Sequence, residues 1–270
     1  MPLADAGATQ VAIERRGAVL LLTLHGPGRN AIGPDVYESV QAQVVAAGTD
    51  PQIRAVVLTG NGSYFSAGGN IHALKDSASG TLSQATSRTD RLNAMILAIV
   101  NGPLPVIAAV EGGAAGAGLS LARACDLIVA SPGARFAVAQ VRVGLSPDGG
   151  ATSFLRAALP KQLVMEMCLL GQPVSGERLA SFGLVNLLAR EGSVLAAALD
   201  LGARIADGPP QAIRTIKSLV RSAATADLAT QLDDEARAIN LARFSPEAAE
   251  GLSAFLEKRP PRFGAPGRED

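Results

Sequence analysis

Apolar residues gather in short unbroken runs over the first half of the chain and at helical spacing over the second. VAIERR and AVLLLTL, parted by Gly17, predict a hairpin whose second strand ends at His25-Gly26-Pro27-Gly28. A mixed polar and apolar helix is expected from about Pro34 to Ala47, with Pro34 suited to a first turn. The run IRAVVLTG lacks polar alternation, the pattern of a strand buried on both faces of a parallel sheet. NGSYFSAGGN reads as a tight glycine turn and Ile71 to Ser83 as a mobile loop. A helix from about Gln84 to Asn101 then leads through GPLP into the strand PVIAAV. The small-residue turn EGGAAGAG, the short helix LSLARA and the strand DLIVA follow. This alternation predicts an α/β fold with helices covering a parallel sheet.

From about Ala151 the pattern turns helical, with one apolar strand candidate at VNLLA. Helical spacing marks Ser193 to Asp207, Pro209 to Ala224 and Asp227 to Phe244, and Ser245-Pro246-Glu247 starts a last helix. The expected division is an α/β core over 1–195, a helical region over 196–263 that packs on a neighbour as well as on its own core, and a disordered tail over 264–270.

Charge narrows the function classes. The 24 basic and 24 acidic side chains cancel, so no whole-protein field draws in nucleic acid or an anionic membrane, and the absence of Trp removes a common stacking platform. The most apolar stretch is broken by Asn-Gly-Pro, a second Pro and Glu111, unlike a membrane span. MPLADAGATQ reads as a loose lead rather than a signal peptide. Cys125 and Cys168 sit in apolar company and read as buried thiols of a reducing compartment, the cytoplasm. With His25 and His72 as the two histidines, both read as structural or exposed, no metal site is expected.

SAGGN and GGAAGAG each follow a buried strand and open a helical segment. Small residues there let backbone N–H groups face a ligand, with the helix start adding partial positive charge. Converging, two such turns offer a pair of donors to one oxygen, the arrangement that stabilises an enolate. Close helix–sheet packing is the alternative use of the same residues. A dinucleotide site fails because Leu121 stands where a third glycine belongs.

These turns, with Asn30-Ala31-Ile32 before them and VGLSPDGGATSFLRAALP after them, resemble the crotonase (enoyl-CoA hydratase/isomerase) superfamily over nearly the whole chain. The resemblance implies a spiral of ββα units with a C-terminal helical region, assembled as a homotrimer or dimer of trimers. It implies an acyl-CoA substrate, with coenzyme A part of that substrate and no separate cofactor. The backbone N–H groups of Ala67 and Ala117 would form the oxyanion hole. Arg29, Ala31 and the segment Ala67, Gly68, Gly69, Asn70 and Ile71 would lie along the CoA moiety, while Lys258 or Arg259 would approach its phosphates or remain solvated.

The sequence departs from the family's hydratases in its acid–base groups. Where those carry two glutamates, this chain has Ser120 and Gln140, neither of which serves as a carboxylate base. Asp148 stands in SPDGG, where isomerases of the phenylacetate-degradation type resemble this chain and carry an aspartate. The resemblance makes Asp148 the acid and base of a double-bond isomerisation; a helix N-cap is its alternative role. Hydration, the ring-opening step assigned to oxepin-CoA relatives, and a non-catalytic acyl-CoA scaffold stay open beside it. Asp126 reads as holding a turn, Glu111 as structural or facing the site, and Arg142 as orienting a substrate or pairing at the surface.

Overall fold

The computed structural model describes residues 8–77 and 79–264. The chain opens with β1 (Gln10–Arg16), β2 (Val19–His25), a single turn α1 (Pro27–Asn30), α2 (Pro34–Thr49) and β3 (Ala55–Gly60). Next come α3 (Ile71–Ser77), α4 (Leu82–Asn101), β4 (Val106–Val110), β5 (Gly113–Ala115), α5 (Ala117–Ala124), β6 (Leu127–Ala130) and β7 (Arg135–Ala137). A 3-10 turn at Ala139–Val143 precedes α6 (Ala151–Ala158), α7 (Lys161–Leu170), β8 (Val174–Ser175), α8 (Gly176–Ser181) and β9 (Leu187–Leu188). The rest is helical: α9 (Val194–Ala206), α10 (Pro210–Ser222), α11 (Leu228–Ala242) and α12 (Pro246–Leu256).

The main sheet has the order β1-β2-β3-β4-β6-β9, with β1 antiparallel to β2 and each later neighbour parallel. A smaller sheet joins β5, β7 and β8. Burial of both faces explains the continuous apolar runs. Leu20, Leu22 and Leu24 of β2, with Val56 and Leu58 of β3, face a core shared with α2, α4 and α5. Val19, Leu21, Ala55 and Val57 alternate with them and face Val194, Ala198 and Ala206 of α9.

The expected loop from Ile71 to Ser83 is instead mostly helix. Asn70 Oδ1 accepts the backbone N–H groups of His72 and Ala73 at 3.0 and 3.2 Å and so caps α3. Arg88 on α4 reaches the Ala73 carbonyl at 3.2 Å and ties the two helices. Thr81 caps α4 in a reciprocal box with Gln84, starting that helix at Leu82 rather than Gln84. The boundary expected between 195 and 196 falls within α9, which packs on the sheet; the helices after it begin at Pro210. Residues 265–270 of the expected tail lie outside the described residues.

Candidate active site

Three loops meet beyond the ends of β2, β3 and β4. Ser66, fully buried, donates through Oγ to the Asn30 carbonyl at 2.9 Å and accepts the Gly68 N–H at 3.1 Å. Its own carbonyl accepts the Ala115 N–H at 2.9 Å, so one residue joins the first, second and third loops. Ile32 N–H donates to the Gly68 carbonyl at 2.7 Å, and Arg29 and Asn30 hold left-handed φ of 59° and 57°. Asn30 sustains that conformation by donating its buried amide to the carbonyls of Asn61 and Tyr64 at 3.0 and 2.7 Å. Arg29 lies 5.2 Å from the centre of the Tyr64 ring. Thus Arg29 and Ala31 do lie alongside the segment from Ala67 to Ile71.

The contact between the two glycine turns is backbone on backbone. Gly68, at φ 89°, leaves room where a Cβ would stand 2.5 Å from the Ala115 carbonyl and 3.0 Å from the Ala117 nitrogen. Only a residue without a side chain permits that approach.

The expected donor pair needs one correction. Ala67 N–H already donates to the Arg29 carbonyl at 3.0 Å, so it is not free for a ligand oxygen. Among the described residues no acceptor is found for the N–H of Gly69, two residues on, or for that of Ala117. Ala117 is the first residue of α5, whose opening amides have no partner within the helix and carry its positive end. Gly69 and Ala117 are therefore the open donors.

Asp148 is not a helix cap. The N-cap of α6 is Gly150; Asp148 meets that helix through its main-chain carbonyl, which accepts the Ala151 N–H at 3.3 Å, and among the described residues no side chain accepts from its first amides. The carboxylate is instead turned to Gln140, whose Nε2 donates to Asp148 Oδ1 at 2.9 Å. Ser120, fully buried on α5, donates through Oγ to the Asp148 carbonyl at 2.8 Å. Gly149, at φ 59°, makes this possible, because a Cβ there would stand 2.9 Å from Ser120 Cβ. The Gln140 amide adjoins the second turn, its nitrogen 3.8 Å from where a Cβ on Gly116 would be. Tyr37 of α2 shares the neighbourhood: burial first, and the Asp148 charge second, push its phenol up to about 12, with Arg88 opposing.

The remaining candidates are drawn elsewhere. His72 is exposed at the start of α3, and His25 Nδ1 pairs with the Asn61 amide at 2.6 Å. Glu111 accepts the Gly192 N–H at 3.0 Å and lines a separate cavity with Gly133 and Glu191. Asp126 accepts the Val106 N–H and the Lys217 ammonium, both at 2.7 Å, a brace to α10 in which the lysine is the buried partner; partial desolvation holds the Asp126 carboxyl above the usual range against the pull of Lys217. Arg142 donates to Gln172 at the surface, and Arg259 is held by Glu250 and Glu257. Burial raises the Cys125 thiol. Among the described residues no group of three or more His, Cys, Asp or Glu side chains is placed to hold a metal, and no helix is long and apolar enough to cross a membrane.

Comparison with known proteins agrees with this architecture. Residues 14–266 match the model of the family described as enoyl-CoA hydratase/isomerase. The 2,3-dehydroadipyl-CoA hydratase of Escherichia coli is 33% identical over 261 residues, covering 94% of this chain and 98% of its own. The 1,2-epoxyphenylacetyl-CoA isomerase of the same organism is also 33% identical, over 91% of this chain and 94% of its own. A crystal structure of an enoyl-CoA hydratase from Polaromonas sp. JS666 superposes with a TM-score of 0.92 at 39% identity, covering 93% of this chain and 98% of its own.

Proposed function

Because the chain belongs to the enoyl-CoA hydratase/isomerase family, within the crotonase superfamily, we propose that it moves a double bond within an acyl-CoA thioester, with Asp148 as the acid and base. The observation that carries this reading is the Asp148 carboxylate, hydrogen-bonded to Gln140 beside a turn with open amides. The carboxylate removes a proton from C2 of a 3-enoyl thioester: a C–H bond breaks, an O–H bond forms, and the electron pair passes to the thioester oxygen. The N–H groups of Gly69 and Ala117 receive that enolate oxygen. The same carboxyl returns its proton to C4 as the enolate collapses, leaving the double bond between C2 and C3. Coenzyme A enters as part of the substrate, along Arg29, Ala31 and Gly68 to Ile71, and no resident cofactor takes part.

Hydration is the second reading, favoured by the names of the hydratase relatives. Against it stand Ser120 and Gln140, whose side chains hold Asp148 and carry no base. Asp148→Asn should lower isomerase turnover by about 10²–10⁴ while the thioester still binds. Unchanged turnover would remove Asp148 from the reaction. Conversion at background in both proteins would favour an acyl-CoA scaffold or a specialised ring substrate.

We place the protein in the cytoplasm, where acyl-CoA substrates and reduced thiols coexist, and assign it a homotrimer or dimer of trimers. The helical region from Pro210 onward supports an assembly, because Val220, Leu241 and Phe255 on its helices and Phe244 in the turn between α11 and α12 are exposed. Light scattering should give three or six times the mass of one chain; a monomer would contradict the assignment.

A further inference from the structure

We propose that Gln140 is a positioning residue that follows the proton on Asp148, holding the carboxyl in place both as base and as acid. The inference rests on the reading of Asp148 given above and extends it to a residue that cannot itself exchange a proton.

Three observations carry it. Gln140 Nε2 donates to Asp148 Oδ1 at 2.9 Å, which suits the ionised carboxylate, an acceptor only. Gln140 Oε1 is buried and has no hydrogen-bond partner among the described residues. Buried polar atoms are ordinarily paired, so an orphan acceptor beside a proton-transferring group calls for a reason. Finally, Ser120 Oγ fixes the Asp148 carbonyl at 2.8 Å, so the backbone stays put and rearrangement falls to the side chains.

The physical consequence is a two-position amide. Nothing else in the described chain holds the Gln140 amide by its oxygen, so the protonation state of Asp148 sets its orientation. While Asp148 is ionised, Nε2 faces it and donates. Once Asp148 carries the substrate proton it becomes a donor, and half a rotation of the amide brings Oε1 round to accept that O–H. The acid then stays directed and its proton is kept from exchange with water until it is delivered. No atom is gained or lost in this step. A glutamate at this place could not donate to an ionised Asp148, and an apolar side chain could neither donate nor accept.

The test uses a 3-enoyl-CoA carrying deuterium at both C2 positions, turned over in ordinary water by the full-length protein and by Gln140→Met, Gln140→Glu and Asp148→Asn. The product's label at C4 is read by mass and NMR. We expect the unsubstituted protein to retain part of the label. Both Gln140 variants should lose most of that retention and about ten- to a hundredfold in kcat, the scale of one hydrogen bond to a charged group, with KM little changed. Gln140→Glu keeps the shape of the side chain and serves if Gln140→Met does not fold; because it brings a carboxyl of its own, its products are also weighed for added water, and lost retention without hydration is the expected result. Wild-type retention and kcat in a folded Gln140 variant, with Asp148→Asn inactive, would overturn the inference and leave Asp148 as the base. Absence of retention in the unsubstituted protein would overturn it as well. Full activity in Asp148→Asn would overturn the reading of Asp148 itself.

Discussion

A backbone amide can stabilise a developing enolate only if nothing else has claimed its hydrogen. The Arg29 carbonyl has claimed that of Ala67, which leaves Gly69 and Ala117. This can be tested by removing one donor with little harm to the fold. Ala117 opens α5, where proline is tolerated because its missing N–H has no helical partner anyway. Ala117→Pro should therefore lower kcat by about 10²–10³ in a protein whose melting curve shows that it still folds with the ring set against Gly68. A variant that stays folded and fully active would exclude the Ala117 amide from the oxyanion hole. The sequence showed which two turns to examine, since paired small-residue segments after buried strands stand out. Which amide in SAGGN is free was not legible, because it depends on Arg29, a residue from another loop. Asp148 was visible as a carboxylate, but its turn toward Gln140 and away from α6 is a matter of three-dimensional approach through Gly149.

At the scale of elements, legibility followed the strength of local patterns. Strands β2, β3 and β4 are buried on both faces, and their apolar runs announced the parallel sheet. Strands β5, β7 and β8 have only two or three residues, too few for a period of two to appear. Helix α3 was hidden for another reason. Its described side chains are mostly exposed, Ile71 at 51%, so no apolar stripe marks it, and the Asn70 cap and the Arg88 tie that hold it are polar and local. The Thr81–Gln84 box was readable in principle as T-x-x-Q before a helical run. Helix α9 was found, but its membership in the core depends on which sheet face it covers, which its own spacing does not state.

On the scale of the whole molecule, the order of the motifs carried the most information. No one turn specifies an acyl-CoA enzyme, whereas two glycine turns, Asn30-Ala31-Ile32 and SPDGG in this sequence pointed to the family that 253 matched positions, 14–266, now support. The balance of charge also holds at this scale: with no net field, an anionic thioester must be held by local amides and side chains. On the proposed reading this scaffold, with Asp148 as its working carboxylate, moves a double bond in preference to adding water. The most direct measurement is an ultraviolet time course of the purified protein with a 3-enoyl-CoA beside crotonyl-CoA, with product masses determined. The 3-enoyl-CoA should become a conjugated thioester of unchanged mass while crotonyl-CoA gains water far more slowly. Rapid hydration of crotonyl-CoA without conjugation of the 3-enoyl substrate would contradict that reading.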